Sequence, residues 1–428
     1  MSKIKLKKVS KIITKGTTPT TVGGDFKSDG INFIKSESIS DSKFLNKSLF
    51  SFIDEETDEK LKRSRIFEND LLFSIAGAYL GKIAKVTYKD IPANTNQAVG
   101  IVRLDNEKVD VDYLYYYFSQ NNINRYINIQ SSQSSQPNLN LTLLGDLEFE
   151  NKPLPTQQKI ASVLSALDDK IELNNRINAE LEAMAKTLYD YWFVQFDFPI
   201  VTSSGVEKPY KTSGGKMVYN EILKREIPEG WEASNLEKIA KLIRGVSYNK
   251  GDIEEKLKSD NIRILRATNI TGNQLDLENP IIVSKKFVNE EQILNKFDIL
   301  MTMSSGSIDH IGKNAFYYFE EKVSFGAFCA KLKANENFRY FLYLFMQSPF
   351  VNATIKNECL GTNINNLNGT MVNSFKTIIP DKNILEKFNQ LVEPLFDKIG
   401  NNLKQNQELS ALRDWLLPML MNGQVKVG

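Results

Sequence analysis

PTQQKIASVLSALDDKIELNNRINAELEAMAKTLYDYWF (155–193) and NILEKFNQLVEPLFDKIGNNLKQNQELSALRDWLLPMLM (383–421) are two versions of one amphipathic segment. Moving the first onto the second by 228 positions lays Asp169-Lys170-Ile171 on Asp397-Lys398-Ile399, Asn174 on Asn402, Asn178 on Asn406, Glu180-Leu181 on Glu408-Leu409 and Leu188 on Leu416. With Leu164 at heptad position a, the a/d seam of the first is Leu164, Leu167, Ile171, Asn174, Asn178, Leu181, Ala185 and Leu188. That of the second is Val392, Leu395, Ile399, Asn402, Asn406, Leu409, Arg413 and Leu416. Each seam is a mostly apolar stripe that needs a partner, and each is broken by Asn at the same two places.

An internal two-fold would pack these helices antiparallel. Pairing positions whose numbers sum to 580 sets Leu164 on Leu416, Ile171 on Leu409, Leu181 on Ile399, Asn174 on Asn406 and Asn178 on Asn402. Asn–Asn layers satisfy amides that would otherwise be buried unpaired, and they fix register. Arg413 falls opposite Leu167 and is expected to reach out to solvent. The competing arrangement has solvated asparagines and each helix packed on its own domain. A slip of one layer would oppose Asn to Leu, which favours the paired form. A helix of this length is a rigid ruler of ~57 Å, longer than the ~34 Å of one DNA turn.

The duplication extends beyond the helices. Leu114-Tyr115 matches Leu342-Tyr343, and Asn138-Leu139-Asn140 matches Asn366-Leu367-Asn368, at the same offset. Upstream the spacing drifts by a few residues, as loop insertions produce: Val9–Ile13 resembles Ile239–Ile243, Ile31–Ser40 resembles Ile262–Thr271, and 68–72 resembles 296–300. Each half begins with short β-rich runs, such as Leu71–Ile75, Ala98–Leu104 and Ile299–Met303, punctuated by Gly77, Gly81, Gly306 and Gly312. A helix over Tyr113–Ile127 or Phe341–Ile355 follows, its aromatics at helical spacing assigned to the core. Thr202–Pro228, rich in Gly, Ser, Lys and Pro, is an exposed connector. The segments are 1–152, 153–195, 196–227, 228–379 and 380–428.

With 54 basic against 52 acidic residues, bulk charge gives no argument for a polyanionic partner; a local basic surface would be needed. The N-terminus has no apolar core of a signal peptide, and no run is long enough to span a bilayer, so a cytoplasmic protein is expected. Two unrelated cysteines, Cys329 and Cys359, imply neither disulfide framework nor metal cluster. There is no phosphate-binding loop, no Gly-rich dinucleotide fingerprint, and no adjacent prolines of an amino-methyltransferase motif. The single histidine, His310, excludes a multi-His metal site. Beside Cys329 or Asp309 it is weak evidence of chemistry, and Asp381 is more simply the N-cap of the second long helix.

Three stretches resemble the specificity (S) subunit of type I DNA restriction–modification systems. They are PLPTQQKIASVLSALDDKIELNNRIN (153–178) running into LEAMAKTLYDYWF (181–193), MVYNEILKREIPEGWEASNLEKIA (217–240) and IGNNLKQNQELSALRDWLLPMLMNGQV (399–425); QPNLN (136–140) also fits. One departure is that the second half opens with Pro228-Glu229-Gly230-Trp231, which the first half lacks. The resemblance implies a mixed α/β chain with two pseudo-symmetric target-recognition domains joined by two long antiparallel helices, a coiled-coil spacer. It implies a non-catalytic subunit that reads a bipartite asymmetric target in double-stranded DNA. It further implies docking of two methyltransferase subunits and, through them, motor-nuclease subunits. S-adenosylmethionine, ATP and magnesium would then belong to partners, with no cofactor on this chain. A self-sufficient restriction–methylation enzyme and a stand-alone bipartite DNA-binding regulator are the competing readings.

Base readout calls for Arg, Lys, Asn and Gln in a groove, with phosphate contacts to hold register. The amide-rich loops 131–140 (with Ser135, Gln136, Asn138) and 361–368 (with Thr362, Asn363, Asn366) are the leading candidates; a helix-capping loop is the equal alternative. Lys82 and Lys313 follow runs of small residues, SIAGAYLGK and SSGSIDHIGK, that let backbone approach a phosphate; plain turn lysines are the alternative. Lys35 and Arg266 hold equivalent places on a strand in the two copies, facing either a groove or solvent.

Overall fold

The computed structural model describes residues 3–120, 125, 127, 138–201, 205–335, 337–360 and 366–425. Two compact units emerge: Met1–Leu173 with Asn406–Gly428, and Asn174–Gln405. They cut across the sequence segments, because each unit takes part of both long helices.

In the first unit, strands β1 (Lys3–Lys5), β2 (Ser10–Lys15), β3 (Ile31–Ile34), β4 (Ser51–Ile53), β5 (Leu71–Ser74), β6 (Ile83–Lys85), β7 (Ala93–Thr95), β8 (Val99–Leu104) and β9 (Glu148–Glu150) form three sheets. Their orders are β2-β8-β5-β6, β4-β3-β7 and β1-β9. β5 is apolar apart from Ser74 and buried on both faces, as a central strand requires. Helix α1 (Glu55–Lys60) is capped by Asp54. Helix α2 (Val111–Ser119) starts two residues earlier than expected because Asp110 accepts the Tyr113 N–H at 2.8 Å. Tyr113 to Phe118 are all buried, so these aromatics are core. Helix α3 (Leu141–Asp146) precedes the long α4 (Leu154–Tyr189).

The second unit repeats this plan. The connector forms two hairpins, β10 (Pro199–Val201) with β11 (Glu207–Pro209), and β12 (Met217–Asn220) with β13 (Arg225–Pro228). Then come β14 (Glu232–Asn235), β15 (Ala240–Arg244), β16 (Asn261–Leu265), β17 (Ile270–Thr271), β18 (Gln274–Leu275), β19 (Ile281–Ser284), β20 (Ile299–Thr302), β21 (Asn314–Phe316), β22 (Val323–Phe325), β23 (Cys329–Ala334) and β24 (Lys376–Ile379). The orders β15-β23-β20-β21, β19-β16-β22 and β14-β24 reproduce those of the first unit. A buried carboxylate is duplicated: Asp70 pairs with Arg103 (2.8 Å) and Asp298 with Lys331 (3.1 Å), the cations coming from different places on the matching strands, and each carboxylate follows a residue at positive φ, Asn69 or Phe297.

The expected helix over Phe341–Ile355 is two: α5 (Arg339–Met346) and α6 (Pro349–Leu360). Pro349 cannot donate to a preceding turn, and the Ser348 hydroxyl takes the Val351 N–H at 3.3 Å as a fresh N-cap. Helix α7 (Gly369–Asn373) and the long α8 (Lys382–Met421) complete the unit. Asp381 caps α8, accepting the Asn383 N–H at 2.8 Å. Trp231 is buried among Phe193, Phe196 and Phe198, and Tyr210 stacks on Phe198 at 4.6 Å, which anchors the connector.

In the second unit the helices run antiparallel. Asn402 donates to Asn178 at 2.8 Å, and one turn away Asn174 donates to Gln405 at 2.8 Å, one residue from the Asn406 expected there. Leu181 and Leu188 pack against a core that includes Val392 and Ile399. In the first unit Leu164 shares a core with Leu420 and Met421, with Leu416 packed against it. Arg413 does not reach out to solvent. It ion-pairs with buried Asp168 at 2.8 Å, because the carboxylate beside Leu167 leaves a desolvated charge to neutralise.

Candidate nucleic-acid interface

Of the sites singled out in the sequence, Lys35, Lys82, Asn138, Arg266, Lys313 and Asn366 lie at one end of the four-stranded sheet in their unit. In the second unit, the Gly326 N–H donates to Leu265 O at 2.9 Å, which places Arg266 beside the β22–β23 turn. The Phe328 carbonyl in that turn accepts from Met303 N (2.8 Å) and Ser304 N (3.2 Å). Ser304 bridges to Asn366, and the Lys313 carbonyl accepts the Thr302 N–H at 2.9 Å. Arg266, Phe328, Asn366 and Lys313 are thus strung on one hydrogen-bonded framework at the sheet's end.

The first unit builds the same framework. The Thr95 hydroxyl donates to Ile34 O at 2.6 Å beside Lys35, Ile75 N donates to Ala98 O at 2.8 Å, and Ala76 bridges to Asn138. The Lys82 carbonyl accepts the Ser74 N–H at 2.8 Å. Close approach of backbones holds each turn. A Cβ at Gly16 would fall 1.9 Å from Thr95 O, and one at Gly245 would fall 2.1 Å from Gly326 O. Only glycine fits either place.

Lys35 and Arg266 sit one residue past their strands, each opening a 3₁₀ turn, Ser36–Ser38 or Ala267–Asn269. The strands stop there because the chain turns. Lys35 lies 4.4 Å over the Phe26 ring, while Arg266 is exposed and reaches Asn279 O at 3.4 Å. Lys82 ion-pairs with the exposed Asp41 at 2.7 Å, and Lys313 instead lies 3.3 Å from His310 Nδ1. Asn138 and Asn366 are exposed, whereas Leu139 and Leu367 are buried plugs. Asn140 and Asn368 cap α3 and α7, accepting the Leu143 and Met371 N–H groups. The capping reading therefore holds for the last Asn of each motif and leaves the first Asn facing solvent. Ser135, Gln136, Thr362 and Asn363 lie outside the described residues.

Cys329 is buried, and burial pushes its thiol up to about 12, so it stays protonated and is no partner for exposed His310. Among the described residues no group of three His, Cys, Asp or Glu is placed to hold a metal ion. No helix there is long and apolar enough to cross a membrane. Sequence reasoning missed Phe328, the most exposed of the large apolar side chains among the described residues, at 69%. SFGAFCAKL looks like one buried strand; the signal was Gly326, which breaks it between buried Phe325 and exposed Phe328.

A family profile described as "Type I restriction modification DNA specificity domain" matches residues 1–183 and again 228–411. The MjaIX type I restriction enzyme specificity subunit of Methanocaldococcus jannaschii is 28% identical, over 99% of this chain and 93% of its own length. The EcoKI specificity subunit of Escherichia coli K12 is 31% identical over 47% of this chain and 44% of its own length. The fold is similar to a crystal structure of a type I restriction–modification S subunit from M. genitalium, at 15% identity and TM-score 0.53, covering 98% of this chain and 95% of that one.

Proposed function

Since the chain belongs to the family of type I restriction–modification DNA specificity subunits, we propose that its two units each read one half of a bipartite, asymmetric target in double-stranded DNA. The observation that carries this is the duplicated framework, alike at its Lys and Asn places and unlike where Lys35 answers to Arg266 and Ala98 to Phe328. Lys35, Lys82 and Asn138 in one unit answer to Arg266, Lys313 and Asn366 in the other. Lysines at such loop ends hold phosphates and fix register; Asn and Arg read base edges. Equivalent scaffolds carrying different readers favour a non-palindromic target. The long helices, of ~54 and ~60 Å, serve as rulers for the unread spacer and as docking elements for two methyltransferase subunits. Motor-nuclease subunits join through those partners. S-adenosylmethionine, ATP and magnesium act on the partner chains, and the assembly works in the cytoplasm.

Mapping methylated adenines in host DNA with and without this gene tests the reading. Loss of one split, asymmetric motif is the expected result, and an unchanged pattern overturns it. Methyl transfer by the purified chain alone with S-adenosylmethionine would overturn the non-catalytic assignment.

A further inference from the structure

We propose that Phe328 is an apolar base-reading residue of the second unit, selecting a thymine by its methyl group, and that the first unit has no counterpart at this place. The inference rests on the DNA-reading function argued above. Three observations carry it. Phe328 is 69% exposed, yet its backbone is tied into the turn by hydrogen bonds. Its carbonyl takes two N–H donors, from Met303 and Ser304, and the turn closes with Cys329 N on Gly326 O at 2.8 Å. The close approach of Gly245 to Gly326 fixes the other side. A phenyl ring held out in water on a rigid turn loses little conformational freedom on binding and gains by leaving solvent.

Its neighbours are those of a polyanion site. Lys313 joins β20 from one flank, opposite Thr302, and Cys329, which follows Phe328, pairs with Thr302 from the other. Arg266 lies beside Gly326 in the same turn, and exposed Asn366 bridges to Ser304. No carboxylate forms an ion pair with Arg266 or Lys313 among the described residues, unlike Lys82, which Asp41 engages. Of the groups that a major groove presents, the thymine methyl is the apolar one. A ring carried there among phosphate-binding cations therefore discriminates T from the other bases.

The first unit differs at this place. Ala98 stands where Phe328 does, its carbonyl taking the equivalent bond from Ile75. An exposed aromatic, Tyr79, lies instead in the β5–β6 loop near Lys82, where the second unit has His310. The aromatic reader has moved by one loop between the two units, and the two half-sites are to differ accordingly.

The test uses the full chain co-expressed with its modification subunits, on duplexes carrying the methylated motif found in the host. Each thymine is replaced in turn by uracil, which removes the methyl alone. With the wild-type complex, one such change in one half-site should weaken binding roughly three- to fourfold. Phe328→Ala should weaken the parent duplex by about tenfold and abolish the uracil effect, leaving the other half-site and the melting temperature unchanged. Phe328→Tyr should keep most of the affinity. Ala98→Phe should alter discrimination only in the opposite half-site. If Phe328→Ala binds and discriminates like wild type while Lys313→Ala or Arg266→Ala weakens binding, the inference falls and the DNA-reading function stands. If all three variants bind as wild type, both fall.

Discussion

The two units share a fold and differ most where each recognition domain meets its long helices. In the first, that junction is charged. Lys43 and Lys85 clamp Asp112 at 3.0 and 2.9 Å, Lys43 also donates to Ser165, and Asp168 takes the Tyr116 hydroxyl and Arg413. In the second, equivalent places are aromatic: Phe316 for Lys85, Tyr340 for Asp112 and Phe396 for Asp168. Leu344 replaces Tyr116, and Ala185 stands where the first junction has Arg413. Tyr340 stacks on Phe396 at 5.2 Å, and Phe316 stacks on Tyr343 at 4.0 Å. One backbone thus tolerates two solutions to the same burial problem. Paired charges must all be present together, since removing one strands its partner out of water, whereas aromatic packing is limited by shape and volume.

The largest expected break is Asp168→Ala. It leaves Arg413 and the Tyr116 hydroxyl without the carboxylate and should cost the first unit about 3–5 kcal/mol. Denaturant unfolding with hydrogen exchange on α2 would read this. Transplanting the second junction as Tyr116→Leu, Asp168→Phe and Arg413→Ala should restore most of that loss. A triple variant as unstable as Asp168→Ala would show that the two solutions are not interchangeable.

A smaller effect should come from the helix seam. Asn178→Leu leaves the Asn402 amide buried without its acceptor and should cost about 1–3 kcal/mol, while Asn178→Leu with Asn402→Leu should recover much of it. If the double variant is worse than the single, the Asn pair is not simply a satisfied layer.

The smallest effect is on pH. Burial pushes the Asp112 carboxyl up, but the Lys43 and Lys85 ammoniums more than offset this and hold it below the usual carboxylate range. A lowered folded-state pKa stabilises the fold above the unfolded value, about 4, and this contribution disappears as pH falls through the folded value. The stability gap between wild type and Asp112→Asn should therefore narrow below about pH 4. Tyr340, at the matching place, is pushed up to about 12 by burial and stays neutral there, so Tyr340→Phe should show no such trend. A gap for Asp112→Asn that is constant down to pH 2.5 would remove the electrostatic half of the comparison.

Much of the candidate site drew attention because repetition marks it. Asn138-Leu139-Asn140 and Asn366-Leu367-Asn368 drew attention by recurring at one offset, and both sit at the end of their sheet. Their division of labour was not legible. Capping by the last Asn depends on where a helix begins, and burial of the middle Leu on which core lies beneath. Lys35 and Arg266 could be paired across the repeat, but not placed past the strand end, since a 3₁₀ turn of Ser-Glu-Ser or Ala-Thr-Asn has no periodic signature. Phe328 was hidden inside an apolar run.

By itself the sequence determined the duplication, the long helices and the register of their Asn pair, because offsets and heptad spacing are properties of the chain alone. Tertiary structure decided which carboxylate receives Arg413, why one junction is charged and the other aromatic, and which side chains stand at the sheet's end. Those outcomes depend on residues far apart in the chain, such as Lys43, Asp112, Asp168 and Arg413, becoming neighbours in a space without water. No local pattern encodes that proximity.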